Sequence, residues 1–255
     1  MPLLKPYRRT VRPFSNGSYY DDYIGYPNYA TAGGQYIRAF LLIQKDLLEI
    51  FEFIEPAKKN LLSYSFRIHE LLMRTCIEVE ANFKAILNDN DFFKEDEMKI
   101  NNAYYKVNKT HRLSDYEIEI VNWIDKDNQY TSKKIIPFGH WKNNCKPLFW
   151  YQAYNKSKHD RNKNFHKASL LSLIFAVSAL TVLITSQFLN FDYSANAGEH
   201  AYGFGRDYYG YTSAIGDYFR VKYPLNWLDE DMYEYDRSFF NQNPEYDKHN
   251  YTQIT

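Results

Sequence analysis

The run Ala168-Ser-Leu-Leu-Ser-Leu-Ile-Phe-Ala-Val-Ser-Ala-Leu-Thr-Val-Leu-Ile-Thr-Ser-Gln-Phe-Leu189 carries no charge over 22 residues. Whether it is a core helix or a membrane span decides the fold. About 20 predominantly apolar residues cross a bilayer, so its length permits a span. Against a span stand Ser169, Ser172, Ser178, Thr181, Thr185, Ser186 and Gln187, with Ser178, Thr181 and Thr185 at i, i+3, i+7 on one helix face. A helix that is apolar nearly all round is also what the centre of a bundle requires when neighbours cover it. The run therefore reads as a buried core helix. A membrane span is the alternative, with Lys163 and Lys167 setting its N-terminal side in the cytoplasm.

Working outward, two upstream segments supply the neighbours. From Tyr36 to Ala57, Ile37, Phe40, Leu41, Ile43, Leu47, Leu48, Phe51 and Ile54 recur at three- and four-residue spacing, the pattern of an amphipathic helix. A second helix is predicted from about Leu61 to Leu87, with Tyr64, Ile68, Leu71, Leu72, Thr75, Val79, Phe83 and Ile86 on one stripe. Glu70, Arg74 and Glu78 follow at i, i+4, i+8 and can pair along its surface. Tyr116 to Val121 alternates with period two, and Lys133 to Phe138 is a second short apolar run. The turn chemistry of Asp125 to Asn128 between them predicts a hairpin, within an insert of about 100–140. Pro147 opens a further helical region, since its missing N–H costs nothing in a first turn. The organisation expected is an irregular N-terminal arm over 1–35, a helical domain over 36–190 and a Tyr-rich, acidic extension over 191–255.

Composition narrows the function. The 255 residues are 45% hydrophobic, 24% charged and 18% aromatic. All but the aromatic figure are ordinary for a globular chain. Lys+Arg and Asp+Glu number 31 each, which disfavours a broad basic nucleic-acid surface and leaves room for a small local one. Cys76 and Cys145 form no CxxC and no zinc-spaced cluster with histidine, so two thiols in a reducing compartment are expected, with no metal and no cofactor. The start, Met1 to Arg9, has no apolar stretch of signal-peptide length, and a cytoplasmic location follows as the expectation.

The densest polar cluster lies directly before the uncharged run, from Tyr154 to Lys167. Between Lys156 and Lys167 it holds four lysines and Arg161 against Asp160 alone. Arginine can grip a phosphate bidentately and histidine can move a proton near neutral pH. Those are the parts that metal-free RNA cleavage needs: a base for the 2′-hydroxyl proton and a cation for the phosphorane. Asn162 and His166 would share a helix face, whereas Arg161 and His166 would converge only at a helix start or across a subunit interface.

Arg161-Asn162-Lys163-Asn164-Phe165-His166 fits an Arg-(polar)-x-x-x-His pattern and in this resembles the HEPN superfamily of all-helical domains. The order of a long amphipathic helix, an insert and a motif opening an apolar helix is similar too, over about Tyr36 to Leu189. Tyr154, Asn155, Lys158, His159 and Arg161 also resemble a Tyr-Asn-x-x-Lys-His-x-Arg segment of uncharacterised bacterial HEPN-like proteins. The resemblance implies a mainly α HEPN-like bundle with a short inserted hairpin and irregular aromatic-rich arms. It implies a homodimer and an RNA- or nucleotide-binding or assembly module of a defence or toxin–antitoxin system. Its catalytic variant, a metal-independent endoribonuclease, would use Arg161 on the phosphate, His166 as base or acid and Asn162 to orient them. His159 competes with His166 for that role, and Glu78 is a candidate to position Arg161. Lys158, Lys163, Tyr154 and Asn155 are the expected substrate-binding residues.

The remaining features are weaker. His111, His140, His200 and His249 are scattered and read as structural or exposed. Gly203-Phe-Gly-Arg follows no predicted strand and is no dinucleotide fingerprint. The C-terminal tyrosines Tyr202, Tyr208, Tyr209, Tyr211, Tyr218, Tyr223, Tyr233 and Tyr235 either wrap the helical core or hold a protein partner. The acidic stretch Asp229 to Asp236 could shield the basic segment.

Overall fold

In the computed structural model, which describes residues 1–125, 127–195, 210–235 and 244–254, the uncharged run becomes a helix at the centre of the molecule. In chain order the described helices are α1 (Gly33–Phe51), α2 (Phe66–Asp89), α3 (Ala103–His111), α4 (Phe149–His159), α5 (Arg161–Asn164) and α6 (Leu170–Phe188). Strands β1 (Glu117–Ile124), β2 (Tyr130–Ile135), β3 (Thr212–Ser213) and β4 (Phe219–Lys222) form one antiparallel sheet in the order β2-β1-β4-β3. The architecture is mainly α with a small antiparallel sheet.

Of the 19 residues of α6, only Leu171 and Phe175 are not fully buried. The helix lies against α2, α4 and α1. Its polar residues are satisfied largely within the protein: Thr181 donates to the Val177 carbonyl, Ser186 to that of Leu183, and Gln187 to Asn82 on α2. Each fully buried aliphatic side chain contributes roughly 1.5–3 kcal/mol, so this one helix organises much of the core. The predicted stripe of α2 is buried from Ile68 to Ile86, while Tyr64 lies outside the helix and is exposed.

Both long helices begin or end away from the positions their periodicity suggests, because the flanking backbone is recruited elsewhere. Helix α1 stops at Phe51, short of Ala57: the Pro56 carbonyl accepts from Ile124 at the end of β1, and Ala57 bridges to the same residue. Helix α2 starts at Phe66, where the Ser65 side chain caps it by accepting from the Ile68 N–H. Residues 61–64 instead run beside the start of α6, with Ser63 and Leu61 carbonyls accepting from Leu170 and Leu171. The hairpin forms as predicted around Asp125, whose carboxylate accepts from the Asp127 and Gln129 N–H groups. Its second neighbour, β4, comes from the far side of the sequence.

The N-terminal arm has no regular element, but it is packed into the core. The Arg9 side chain is fully buried. It donates to the Asp89 carboxylate at the end of α2, to Gln187 Oε1 near the end of α6 at 2.8 Å, and to the Thr31 carbonyl. Burial alone would push the Asp89 carboxyl up, but Arg9 and the hydrogen bonds from Thr31 outweigh it and hold the group below the usual carboxylate range. Arg12 pairs with Asp231 at 2.9 Å, so this acid of the C-terminal stretch faces the arm, whereas Asp236 lies outside the described residues. Residues 244–254 run alongside the arm, with Arg8 and Asp247 and then Asp247 and Pro6 exchanging backbone hydrogen bonds of 3.0 Å. Tyr211, Tyr223, Tyr233 and Tyr251 are buried against the core. Tyr202, Tyr208 and Tyr209, with His200 and the Gly203 segment, lie outside the described residues.

Two histidines sit inside this clasp. His249 stacks on Tyr7 with ring centroids 3.8 Å apart and lies 3.1 Å from the Thr10 hydroxyl. His111 contacts the Arg9 carbonyl at 2.8 Å and Thr110 Oγ1 at 2.8 Å. Burial, aided by nearby Arg12, pushes His111 down to about 3 and His249 well below its ordinary value. Both are thus neutral in the fold and protonate once unfolded, so their contribution is complete above pH 6.5 and is lost as pH falls below it. Urea unfolding between pH 7.5 and 5 is expected to show stability falling at up to ~2.7 kcal/mol per pH unit, two protons' worth. His249→Gln should halve that slope.

Candidate functional site

The basic segment does not open the long apolar helix, as its pattern suggests. Two successive caps break the chain. Asp160, the last residue before α5, accepts from the Lys163 N–H at 3.2 Å and so starts a new, single-turn helix. A 3-10 turn, Phe165–Lys167, follows, and Ser169 then caps α6 by accepting from Ser172. Arg161 to His166 therefore form a compact knuckle between α4 and α6.

The predicted site residues divide sharply in exposure. Tyr154 is buried, 1% exposed, in the α4 interface, and Lys158 donates to its hydroxyl at 3.0 Å. Tyr154 is thus a support for Lys158 and offers no ring surface to a ligand. Asn155 is half-buried, whereas Lys158, His159, Arg161, Asn162, Lys163 and His166 are exposed. Lys163 approaches Asp160 at 3.8 Å. No hydrogen bond, ion pair or ring contact involving His159 or His166 is present among the described residues, so neither is joined to Arg161 within one chain. Glu78 does not pair with Arg161 either: burial pushes its carboxyl up, and the cation that opposes this is Arg74. Arg74 itself is bonded to Asp46 of α1.

What Arg161 does meet is aromatic. Its guanidinium lies 5.5 Å from the centroid of Phe66, the first residue of α2. Phe66 packs on Phe165 at 4.8 Å, and Tyr64 meets the same Phe165 edge-on at 5.4 Å. His69, one turn along α2, lies 5.7 Å from Phe165. Burial first and Arg161 second lower the pKa of His69, which keeps its imidazole neutral at pH 7. Phe66, Tyr64 and His69 were not predicted as site residues. Phe66 and His69 fall off the apolar stripe of α2, and an aromatic or imidazole off the stripe was the one signal in the sequence that could have found them.

The resulting surface joins exposed cations to exposed rings. The segment carries Lys156, Lys158, Arg161, Lys163 and Lys167 against one acid, Asp160, which is engaged as a cap. Glu80 of α2, which acts on Lys158 by its charge, is held by the Tyr151 hydroxyl at 2.8 Å. The arrangement can bind an anion. Within one chain it assembles no base beside Arg161 that is both accessible and oriented, since His69 Nε2 is sequestered from solvent.

No known family model, curated protein or solved structure matches the chain.

Because the knuckle residues are exposed and lightly partnered, Arg161→Ala and His166→Ala are expected to leave stability within about 0.5 kcal/mol of the parent. Tyr154→Ala, which empties a buried aromatic position, should cost about 3–5 kcal/mol. Chemical unfolding of the three variants checks the separation.

Proposed function

We propose that this chain is a HEPN-like binding module that holds an RNA or nucleotide by its phosphates on the knuckle between α4 and α6. The observation that carries this reading is the concentration of five cations around one capped acid, in a chain whose overall charge is zero. An overall neutral protein gains no long-range attraction for polyanions, so a local patch must supply the contact. Arg161 and Lys163 meet solvent on a short turn capped by Asp160, which sets their backbone before a ligand arrives and reduces the ordering cost of binding.

A second reading, a metal-independent endoribonuclease completed by a second copy of the chain, is favoured by one feature. Among the described residues Arg161 has no acidic partner and His166 no polar partner, so both can be joined across a two-fold axis. In that reaction a histidine takes the 2′-hydroxyl proton, the 2′-oxygen attacks phosphorus, and the 5′-oxygen leaves with a proton from an acid. Arg161 would stabilise the phosphorane charge.

Titration of labelled single-stranded RNA at several salt concentrations separates these readings. Binding should weaken with salt at a slope near −0.7 per phosphate neutralised. Arg161→Ala and Lys163→Ala should each reduce the slope by about that amount. Intact RNA after prolonged incubation supports the module, and a 2′,3′-cyclic phosphate product formed in EDTA supports the enzyme. Salt-independent or absent binding overturns both.

A further inference from the structure

Resting on the phosphate-binding reading above, we infer that Phe66 and Tyr64, set beside Arg161, form a stacking subsite for an unpaired nucleobase, so that the ligand is single-stranded. Both rings are exposed, Phe66 by 67% and Tyr64 by 52%. Both lean on Phe165, which the knuckle itself supplies. Two segments far apart in sequence thus meet at one aromatic edge: the linker into α2 provides the outer rings, and the turn that carries the cations provides the ring beneath them.

The platform is rigid as well as exposed. Phe66 is the first residue of a 24-residue helix with a side-chain cap before it. Tyr64 is tied by a backbone bridge to Ser169, the cap of α6. Aromatic rings held this way lose little conformational freedom when a base stacks on them. Stacking is worth about 1–3 kcal/mol per base and is indifferent to sequence, because every base has a π-face.

Charge complementarity commits the occupant. Arg161 lies over Phe66 with no carboxylate bound to it among the described residues, so a phosphate attached to a stacked base falls within reach of an arginine that can take it bidentately. The neutral His69 ring extends the apolar floor behind Phe165 without adding charge. A duplex keeps its bases stacked inside and can offer this edge only phosphates. Leu62 and Phe53 are also exposed in the linker between α1 and α2, so an anionic lipid surface is the competing occupant. Glu52 and Glu55 in the same linker offset Lys58 and Lys59, which weakens that attraction.

The test is fluorescence anisotropy on the full chain with four probes: a labelled single-stranded RNA of about ten nucleotides, an abasic oligomer with the same phosphates, an RNA duplex of that sequence, and phosphatidylserine vesicles. The single strand should bind about tenfold more tightly than the abasic oligomer or the duplex, the worth of about one stacked base. Phe66→Ala, at an exposed position whose folding circular dichroism can verify, should bring the single strand down to the level of the abasic oligomer measured on the same variant; Phe66→Trp should restore the difference. Equal binding of single-stranded and abasic probes, or a Phe66→Ala variant with parent affinity, would overturn the stacking subsite while phosphate binding stood. If no oligomer binds, the phosphate-binding reading itself fails and takes the subsite with it. Capture by vesicles alone would in addition make the edge a membrane contact.

Discussion

A guanidinium with no access to water holds this fold together. Removing a charge from solvent is costly unless it is paired and hydrogen-bonded, and Arg9 meets that condition only when four pieces of chain are in place. Asp89 ends α2, Gln187 lies in the last turn of α6, Thr31 belongs to the far end of the arm, and Arg9 itself comes from near the N-terminus. The rings of Tyr36 and Phe188 flank the group at 4.9 and 5.7 Å. Helices α2 and α6 and the arm are therefore coupled through one buried charge, and an arm without regular structure becomes a constituent of the core.

That coupling sits at one end of the two central helices, and the candidate site sits at the other. Asp89 is the last residue of α2 and Phe66 the first, about 35 Å apart at 1.5 Å per residue. Buried polar contacts gather around Arg9, Asp89 and the two buried histidines, while the knuckle at the opposite end carries exposed cations and exposed rings. Such surfaces detract from stability, because like charges repel and exposed rings gain nothing from burial. A clamp at the distant end allows the chain to keep them.

Much of this order was readable in the residues. The uncharged run identified the central helix, the α2 stripe identified its chief neighbour, and period-two alternation with an Asp-centred turn identified the hairpin. What escaped reading depends on contacts between residues remote in sequence. Nothing near Arg9 distinguishes it from Arg8, yet one is sealed and the other keeps 19% of its side chain exposed. The pairing of β4 with β1 joins segments about a hundred residues apart. The histidines show the same limit: His111 and His249 are buried, His159 and His166 exposed, and local sequence does not separate them. At the candidate site the basic charge was legible. Its aromatic half was not, because Phe66 reaches the knuckle only through the fold.

The coupling at Arg9 is tested most directly by a double-mutant cycle with Arg9→Met and Asp89→Leu, read by equilibrium unfolding at pH 7. Asp89→Leu leaves Arg9 buried without its carboxylate and should cost about 3–5 kcal/mol, while Arg9→Met leaves Asp89 the Arg8 guanidinium at 3.4 Å and should cost less. The double variant should recover at least ~1 kcal/mol of the summed loss, because its members interact. Losses that simply add, or single variants as stable as the parent, would contradict the claim that this ion pair fastens the arm into the core.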